Sequence, residues 1–255
     1  MPRGRRPTPG VRKQRNECRL RAAGRLKVGV IGAGPVGAVL GQALAAAGHI
    51  VIGVSATDAK NIERAEAMLP GVAIKPVDQI VAEADLVLLA IPADQIQQLT
   101  QGLATAGLWR SGQLVAHTAG EFGFEILSTA AEAGAIPLAI NPAMSFTGTS
   151  IDISRIRESF FAVAAPNIAL PIAQALVIEM GAEPITIAEA DREKYFEAIS
   201  VANNFSKLIV NQSIGLLQEI GVDNARAVLA PVIRSAVEEA LADGHTPIEP
   251  QELFE

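Results

Sequence analysis

A glycine pattern near the start of the chain has the residue types and spacing needed to bind a pyrophosphate. Gly32, Gly34 and Gly37 form a G-x-G-x-x-G motif between the apolar run Val28–Ile31 and an alanine-rich stretch. In a strand–turn–helix unit, the first glycine permits a tight turn, the second admits the phosphates, and the third permits close packing. The helix start adds free N–H groups. This context predicts a dinucleotide site. The expected contacts are Gly32, Gly34, Pro35, Val36 and Gly37.

The end of the second apolar run indicates which dinucleotide is bound. NAD sites usually place an acidic residue there, against the ribose 2′-hydroxyl. In this chain the run Ile50–Val54 is followed by Ser55 and Thr57, and the first acid, Asp58, comes late. Hydroxyl donors in place of a carboxylate favour a 2′-phosphate, so NADP is the predicted cofactor, with NAD as the alternative. An ordinary polar loop is the other interpretation of this segment.

Polar residues follow two further apolar runs, and they are candidates for the reaction itself. His117 follows Leu114–Ala116 and could donate a proton or bind the substrate, although a hydrogen-bonded structural histidine is an equally good interpretation. Asn141 ends the run Pro137–Ile140 and precedes several hydroxyl residues. Ligands of open α/β sheets bind beyond the carboxyl ends of the strands, so a small polar substrate is expected here. The predicted substrate residues are Asn141, Ser145 and Thr147, and further predicted cofactor residues are Ala90, Ile91, Pro92 and Thr118.

The helical sequence after Asp191 supplies a second group of candidates. At about 100° per residue, Asn204 and Lys207 share a stripe with Glu193 and Glu197, which are interpreted as a solvated face. An amide or an ammonium group can stabilise negative charge developing on a substrate oxygen during hydride transfer. Asn204 and Lys207 are therefore predicted to act in catalysis, and Asn204 also to contact the substrate. No metal-ligand cluster and no Ser–His–Asp pattern accompanies them.

The elements that must position these residues follow a regular order. Between residues 26 and 189, short apolar runs without internal alternation are separated by alanine-rich stretches. This order predicts an α/β fold with a doubly wound parallel sheet, including a strand–helix–strand extension at its end. From residue 190 to 255 the strand signal is absent and two long helical patterns meet at Gly221, which predicts a smaller all-helical domain.

Charge and composition limit the partners and the location. Residues 1–27 hold ten of the 21 basic side chains and one of the 27 acidic ones, so the remainder is strongly acidic and argues against nucleic acid. Residues 1–25 are expected to be a disordered basic tail. No apolar run is long enough to predict a membrane span. Cys18 is the single cysteine, so a cytoplasmic location is expected.

Several of these motifs together resemble a known family. The chain is similar to a bacterial group of Rossmann-like proteins with a C-terminal domain of unknown function, in the phosphogluconate dehydrogenase-like superfamily. Ketopantoate reductases and pyrroline-5-carboxylate reductases belong to the same superfamily. The group tends to have histidine where Asn141 and Phe196 stand, so this chain departs from it there. The resemblance covers about residues 27–242 and is carried by Ile31–Gly37, Leu86–Pro92, His117–Gly120, Asn141–Thr149 and Tyr195–Asn204.

The resemblance implies a function as well as a fold. It implies a Rossmann sheet that binds NAD(P), a helical domain that forms a homodimer, and reduction of a small 2-oxo or imino acid. By analogy, 2-dehydropantoate is the first substrate to consider. The competing hypothesis is a sensor or scaffold protein that binds NADP without turnover.

Overall fold

The computed structural model describes residues 24–244 of the 255-residue chain. Most of the predicted disordered tail, residues 1–23, and the last part of the predicted helical domain, residues 245–255, lie outside the described residues. The chain divides into two compact units, Met1–Phe196 and Glu197–Glu255.

The first unit is built around strands that alternate with helices. The strands are β1 (Lys27–Ile31), β2 (Ile50–Ser55), β3 (Leu86–Leu89), β4 (Leu114–His117), β5 (Ile136–Pro142), β6 (Phe160–Ala164) and β7 (Glu183–Thr186). The helices are α1 (Pro35–Ala46), α2 (Ala59–Met68), α3 (Val77–Glu83), α4 (Ala93–Thr105), α5 (Ser128–Glu132), α6 (Ile151–Ile156) and α7 (Leu170–Met180). Two 3₁₀ turns, Phe124–Leu127 and Glu189–Asp191, precede α5 and the long helix that follows β7.

The seven strands form one sheet in the order β2-β1-β3-β4-β5-β6-β7. The first five strands are parallel, so the residues at their carboxyl ends come together at one edge, with Ile31 opposite both Ser55 and Leu89, and Leu89 opposite His117. β6 runs antiparallel to β5, and β7 is parallel to β6. The order of the strands reverses at β1, because β2 lies on one side of β1 and β3 lies on the other. Ligands bind at such a switch point in open α/β sheets.

Each central strand is buried on both faces, as its uninterrupted apolar sequence predicts. Along β3, Leu86 and Leu88 belong to one core layer, and Val87 and Leu89 belong to the other. Helices α1, α2 and α7 cover the first layer, whereas α3, α4 and α5 cover the second. The predicted α/β class and doubly wound sheet are therefore confirmed, and the antiparallel β5–β6 pair is the one exception to parallel pairing within the described residues.

In its described part, residues 197–244, the second unit consists of two helices and the turn that joins them. Helix α8 (Arg192–Glu219) begins in the first unit and continues into the second, and α9 (Ala225–Asp243) follows it. Between residues 197 and 244, Ala225 is the only buried residue. No helix between residues 24 and 244 combines the length and the apolar character that a bilayer crossing requires.

Candidate functional site

The glycine turn between β1 and α1 has the geometry of a phosphate-binding loop. Gly32 has φ 98°, which a residue with a side chain rarely adopts, and a Cβ atom there would collide with the Ala90 carbonyl. A Cβ atom on Gly37 would collide with the Gly32 carbonyl. By contrast, a Cβ atom on Gly34 would meet nothing within 4 Å. The open side of Gly34 therefore leaves room for a phosphate next to the first-turn amides of α1.

Ser55, at the end of β2, stabilises this turn through two hydrogen bonds. The Gly32 amide donates to Ser55 Oγ at 3.1 Å, and the Ala33 amide donates to the Ser55 carbonyl at 3.0 Å. The turn opens onto a cleft of about 1200 Å³, above the roughly 300–1,000 Å³ of common small-molecule sites. Eight of the predicted cofactor residues line this cleft: Gly32, Gly34, Pro35, Ser55, Thr57, Ala90, Ile91 and Pro92. The other three lie beside it, Val36 and Gly37 in the first turn of α1 and Thr118 just after β4.

The far end of the cleft, after β2, presents hydroxyl and amide groups. Asn61 lines it together with Ser55 and Thr57. Asp58 is the N-cap of α2 and accepts from the Asn61 amide at 2.9 Å, so its carboxylate is already used. Arg64 donates to Asn61 Oδ1 at 2.5 Å and to the Ala33 carbonyl at 3.3 Å. One carboxylate, Asp78, lines the cleft, but it belongs to α3 and not to the end of β2.

The hydroxyl-rich loop after β5 is held by a buried carboxylate that the sequence did not single out. Asp152 is fully buried and accepts from the Thr147 amide at 2.7 Å and the Gly148 amide at 2.8 Å. The Thr147 hydroxyl lies 3.1 Å from the same carboxylate and 2.8 Å from the Thr149 hydroxyl. A Cβ atom on Gly148 would lie 3.1 Å from Pro35 Cα. The loop is therefore packed on the phosphate turn.

His117, at the end of β4, is fully buried and uncharged at neutral pH. Its Nε2 lies 2.8 Å from the Gly123 carbonyl, which can only accept, so Nε2 carries the hydrogen. The pKa of His117 is lowered to about 4, mainly by burial; the hydrogen bond to Gly123 acts to raise it, and the charge of Arg192 adds to the lowering. Nδ1 is left as a bare acceptor with no hydrogen-bond partner among the described residues. At pH 7 this geometry suits His117 to accept a hydrogen bond from a bound molecule and not to donate a proton to it.

Arg192 and Tyr195 lie in the first turn of α8, and the charge of Arg192 acts on both His117 and the Tyr195 hydroxyl. Arg192 is 2% exposed, and its Nε, Nη1 and Nη2 atoms have no hydrogen-bond partner in the described part of the chain. Burial lowers the pKa of Arg192, whereas Glu189 and Tyr195 act to raise it. A guanidinium group does not lose its proton in proteins, so Arg192 remains a cation. The Tyr195 hydroxyl is also buried without a partner among residues 24–244, and burial raises its pKa.

The loop between β4 and the first 3₁₀ turn is fixed from several sides. Phe124 donates its amide to Glu189 Oε1 at 2.7 Å, and a Cβ atom on Gly123 would collide with the same carboxylate. Asn141 Nδ2 donates to the Thr118 carbonyl at 3.0 Å. A Cβ atom on Gly120 would lie 2.6 Å from the Phe196 ring and 3.1 Å from the Asn141 amide. The two positions at which the resembling family tends to have histidine thus meet at Gly120.

The remaining predicted site residues are spread over both units. Ser145 is exposed in the loop after β5, and Asn204 and Lys207 are exposed on the part of α8 that belongs to the second unit. The roles assigned to these three residues, and the substrate roles of Asn141 and Thr147, stay predictions. Sequence reasoning missed Asp152, Arg192, Tyr195 and Glu189. Asp152 follows a run of hydroxyl residues, which is a usable signal, but nothing in the sequence marks a buried arginine.

The fold and the site together define a class. A doubly wound sheet with a glycine turn at its switch point and an open cleft beyond the strand ends is a Rossmann-type α/β protein. Residues 12–142 match the model of the Rossmann-like domain, and the chain belongs to that family. Residues 159–248 match a domain of unknown function, DUF2520. The resemblance seen in the sequence is thereby confirmed. A comparison with curated proteins finds no match to this sequence.

Similar solved structures share the fold at low sequence identity. A candidate NADP oxidoreductase from Bacteroides fragilis is 18% identical with a TM-score of 0.69, and the match covers 84% of this chain and 80% of that one. The 1-pyrroline-5-carboxylate reductase of Streptococcus pyogenes is 14% identical with a TM-score of 0.63, over 90% and 84% of the two chains. An imine reductase from Pseudomonas sp. is 13% identical with a TM-score of 0.61, over 84% and 74%.

Proposed function

We propose that the protein is an NADP(H)-dependent reductase of a small 2-oxo or imino acid. The observation that carries this proposal is the Gly32–Gly37 turn at the switch point of the sheet, which opens onto the large cleft. The ribose end of this cleft offers Ser55, Thr57 and Asn61 instead of a carboxylate from β2. A 2′-phosphate suits such hydroxyl and amide donors better than it suits an acidic residue.

The residues of the turn fit the dinucleotide. The unfilled space beside Gly34 would admit the pyrophosphate, and the N-terminal amides of α1 would donate to it. Ser55 accepts from Gly32, so its own hydroxyl hydrogen is free to donate into the cleft. When bound, NADPH would supply a hydride. The task of the chain is to hold the phosphates and to orient the reacting groups.

The similar solved structures support an imino acid as the first substrate class. They include pyrroline-5-carboxylate reductases and an imine reductase, whose named activities are reductions of C=N bonds. The superfamily analogy also keeps oxo acids in the set, with 2-dehydropantoate as the example. Both kinds of substrate have a planar, reducible carbon, and the proposed cleft is open at the edge where the strands end.

A second candidate function is an NADP-binding sensor or scaffold protein without turnover. The observation that favours it is the state of His117, which is uncharged at neutral pH because its pKa is about 4. Reduction of a carbonyl group needs a proton donor or another group that stabilises negative charge on oxygen. We propose Lys207 or Asn204 for this role, although Arg192 is the cation that lies near His117 in the first unit.

NADPH consumption separates the two functions. The purified protein is assayed against a panel of cyclic imines, imino acids and 2-oxo acids, 2-dehydropantoate included. The reductase proposal expects turnover of at least one carboxylate-bearing substrate with NADPH. Tight NADPH binding, measured by calorimetry, without turnover of any panel member would support the sensor instead.

Cofactor choice is tested at the end of β2. Ser55→Asp should keep an acceptor for the Gly32 amide but place a negative charge against the 2′-phosphate. We expect NADPH affinity to fall by about tenfold or more while NADH affinity is retained. The measurement is the dissociation constant of each nucleotide by fluorescence titration. Ser111→Asp, at the exposed amino edge of the sheet before β4, is the control and should change neither constant. Tighter binding of NADH than NADPH by the unchanged protein would contradict the proposal.

A further inference from the structure

The buried cation at the start of α8 has no role in the dinucleotide cleft. Arg192 does not line that cleft, and its three guanidinium nitrogens lack hydrogen-bond partners in the described residues. We propose that Arg192, together with the Tyr195 hydroxyl, is the anchor for the carboxylate group of the substrate. This inference rests on the proposed reductase function and specifies its substrate as a carboxylate-bearing imine.

The energetic argument starts from the state of Arg192. A buried charge without a partner is strongly unfavourable, and native proteins pair such groups or use them to bind a ligand. Glu189, the acid whose charge acts on Arg192, already accepts from the Phe124 amide and lies against Gly123. The adjacent acids Asp191 and Glu193 are exposed. No ion pair within 4.0 Å is formed by Arg192 among the described residues. An anion from outside is the partner that would balance it.

The chemistry of the surrounding atoms selects a carboxylate. A guanidinium group presents parallel N–H donors that match the two oxygens of a carboxylate. The Tyr195 hydroxyl can add a third donor, and the first turn of the 28-residue helix α8 adds the favourable end of its dipole. His117 Nδ1 is an acceptor without a donor within the described residues, and it suits an N–H group of the same ligand. A cyclic imino acid in its protonated form carries both groups.

The position of the cluster agrees with a substrate site. His117 ends β4, and the Thr118 amide donates to the Leu89 carbonyl at 3.2 Å, just before the cleft-lining segment Ala90–Pro92. The cluster is therefore one strand away from the residues that line the cofactor cleft. Because Arg192 is only 2% exposed, ligand binding requires the groups that cover its nitrogens to move.

Binding is tested first, without any need for turnover. Pyrrole-2-carboxylate, an unreactive planar analogue, and pyrrole, which lacks the carboxylate, are titrated by calorimetry into the full chain saturated with NADP. Arg192→Met should weaken pyrrole-2-carboxylate binding by about 10- to 100-fold and leave NADP binding unchanged. Tyr195→Phe should cause a smaller loss. Arg226→Met removes an exposed guanidinium from the first turn of α9 and is the matched control, with no loss expected.

Stability shows whether Arg192 is instead a structural cation. If its charge is unpaired in the free protein, Arg192→Met should keep or raise the melting temperature without ligand, and should abolish the rise that pyrrole-2-carboxylate causes. A clear fall in melting temperature, combined with unchanged binding of pyrrole-2-carboxylate, would overturn the proposal. Equal affinity of the unchanged protein for pyrrole and its carboxylate would overturn it as well.

Turnover separates this inference from the proposed function. If 1-pyrroline and 1-pyrroline-2-carboxylate are reduced equally well, by both the unchanged protein and Arg192→Met, the reductase proposal stands and the anchor is wrong. If carboxylate binding depends on Arg192 but no substrate is reduced, the anchor stands and the reductase proposal fails. Reduction of 1-pyrroline-2-carboxylate in preference to 1-pyrroline, with the preference lost in Arg192→Met through a raised KM, supports both the anchor and the reductase proposal.

Discussion

Single residues at the carboxyl edge of the sheet combine chemical capacity with unusual burial. His117 offers a lone pair at Nδ1, Arg192 offers N–H donors, and neither group has a hydrogen-bond partner in the described structure. The Gly123 carbonyl and the Glu189 carboxylate are used to hold the loop between them. The free polar atoms therefore belong to residues that the surrounding loop keeps in place.

The buried state of His117 predicts a pH dependence of stability. Its pKa is about 4 in the folded protein, compared with about 6.5 in an unfolded chain. As the pH falls below about 6.5 the unfolded state binds a proton first, so the free energy of unfolding decreases until about pH 4. This contribution is fully present above pH 6.5. A shift of this size corresponds to about 3 kcal/mol.

The measurement is urea unfolding at pH 7 and pH 4.5, in the unchanged protein and in His117→Gln. The glutamine keeps a donor for the Gly123 carbonyl but does not titrate. The unchanged protein should lose about 2–3 kcal/mol more than the variant between these two pH values. Carboxylate groups titrate in both proteins and cancel in the comparison. An equal loss of unfolding free energy in both proteins would mean that the fold does not lower the pKa of His117.

The roles of site residues were predictable from the sequence where the neighbouring segments of the chain determine their positions. The glycine turn and Ser55 follow strands with a fixed spacing, and the structure places them together at the cleft. Arg192 was not predictable, because the surroundings that bury it include His117, which is more than seventy positions earlier in the chain. Its neighbour Glu193 is exposed, so the helical pattern gives no sign that position 192 differs.

Among the elements, the loop after β5 links the two halves of the sheet to the phosphate turn. Asp152, at the start of α6, fixes the backbone of Thr147 and Gly148, and Gly148 lies against Pro35 and Arg64. Arg64 in turn contacts Ala33 and Asn61, which belong to the turn and the cleft. The position of this loop is therefore coupled to the shape of the cofactor site.

A methyl group at Gly148 tests this coupling. Gly148 has φ 77°, and a Cβ atom there would lie 3.1 Å from Pro35 Cα in the turn and 2.5 Å from Arg64 Nε, so Gly148→Ala should move both the loop and the Arg64 side chain. We expect NADPH to bind several-fold more weakly. Gly112→Ala is the control, because Gly112 has φ 78° and a Cβ atom there meets nothing within 4 Å. Both variants carry the same backbone strain, of about 1 kcal/mol.

The readout is NADPH affinity, with the melting temperature measured in parallel. Both variants should lose similar stability, but only Gly148→Ala should lose affinity. Equal NADPH affinity in the two variants would show that the loop does not control the cofactor site.

The order of the elements was predictable, and the direction of one strand was not. Uninterrupted apolar runs separated by helical stretches indicate a sheet covered on both faces, and this is the observed fold. The reversal at β6 depends on the connection Ala143–Ser159, where Asp152 holds the loop at the carboxyl edge. An apolar run such as Phe160–Ala164 has the same appearance in either direction.

At the scale of the whole molecule, the described part of the helical unit lacks a core of its own. Between residues 197 and 244 Ala225 is the only buried residue, while Phe205, Leu208 and Ile209 are 58%, 59% and 59% exposed. An apolar helix face of this kind is usually covered by another surface. We propose that a second copy of the chain covers it, in agreement with the homodimer implied by the sequence resemblance.

A charge on this face should separate the subunits. Phe205→Glu should shift the protein from dimer to monomer in light scattering after size exclusion, and should lower the melting temperature, because a carboxylate would be buried in the interface. Ser206→Glu adds the same charge at the next, exposed position and should leave the dimer intact. A monomer at all concentrations of the unchanged protein would contradict the dimer proposal.

The two borders of the sheet restrict how chains can associate. β2 forms one border, and residues 73–75 already bind part of its outer side. The Val54 amide donates to the Ala73 carbonyl at 3.1 Å, and the Lys75 amide donates to the Val54 carbonyl at 3.0 Å. β7 forms the other, and it has four residues, one of them Pro184, which has no N–H group. Strands that are short, already paired or interrupted by proline resist the addition of a foreign strand. Both borders of the described sheet therefore disfavour growth into extended β-aggregates.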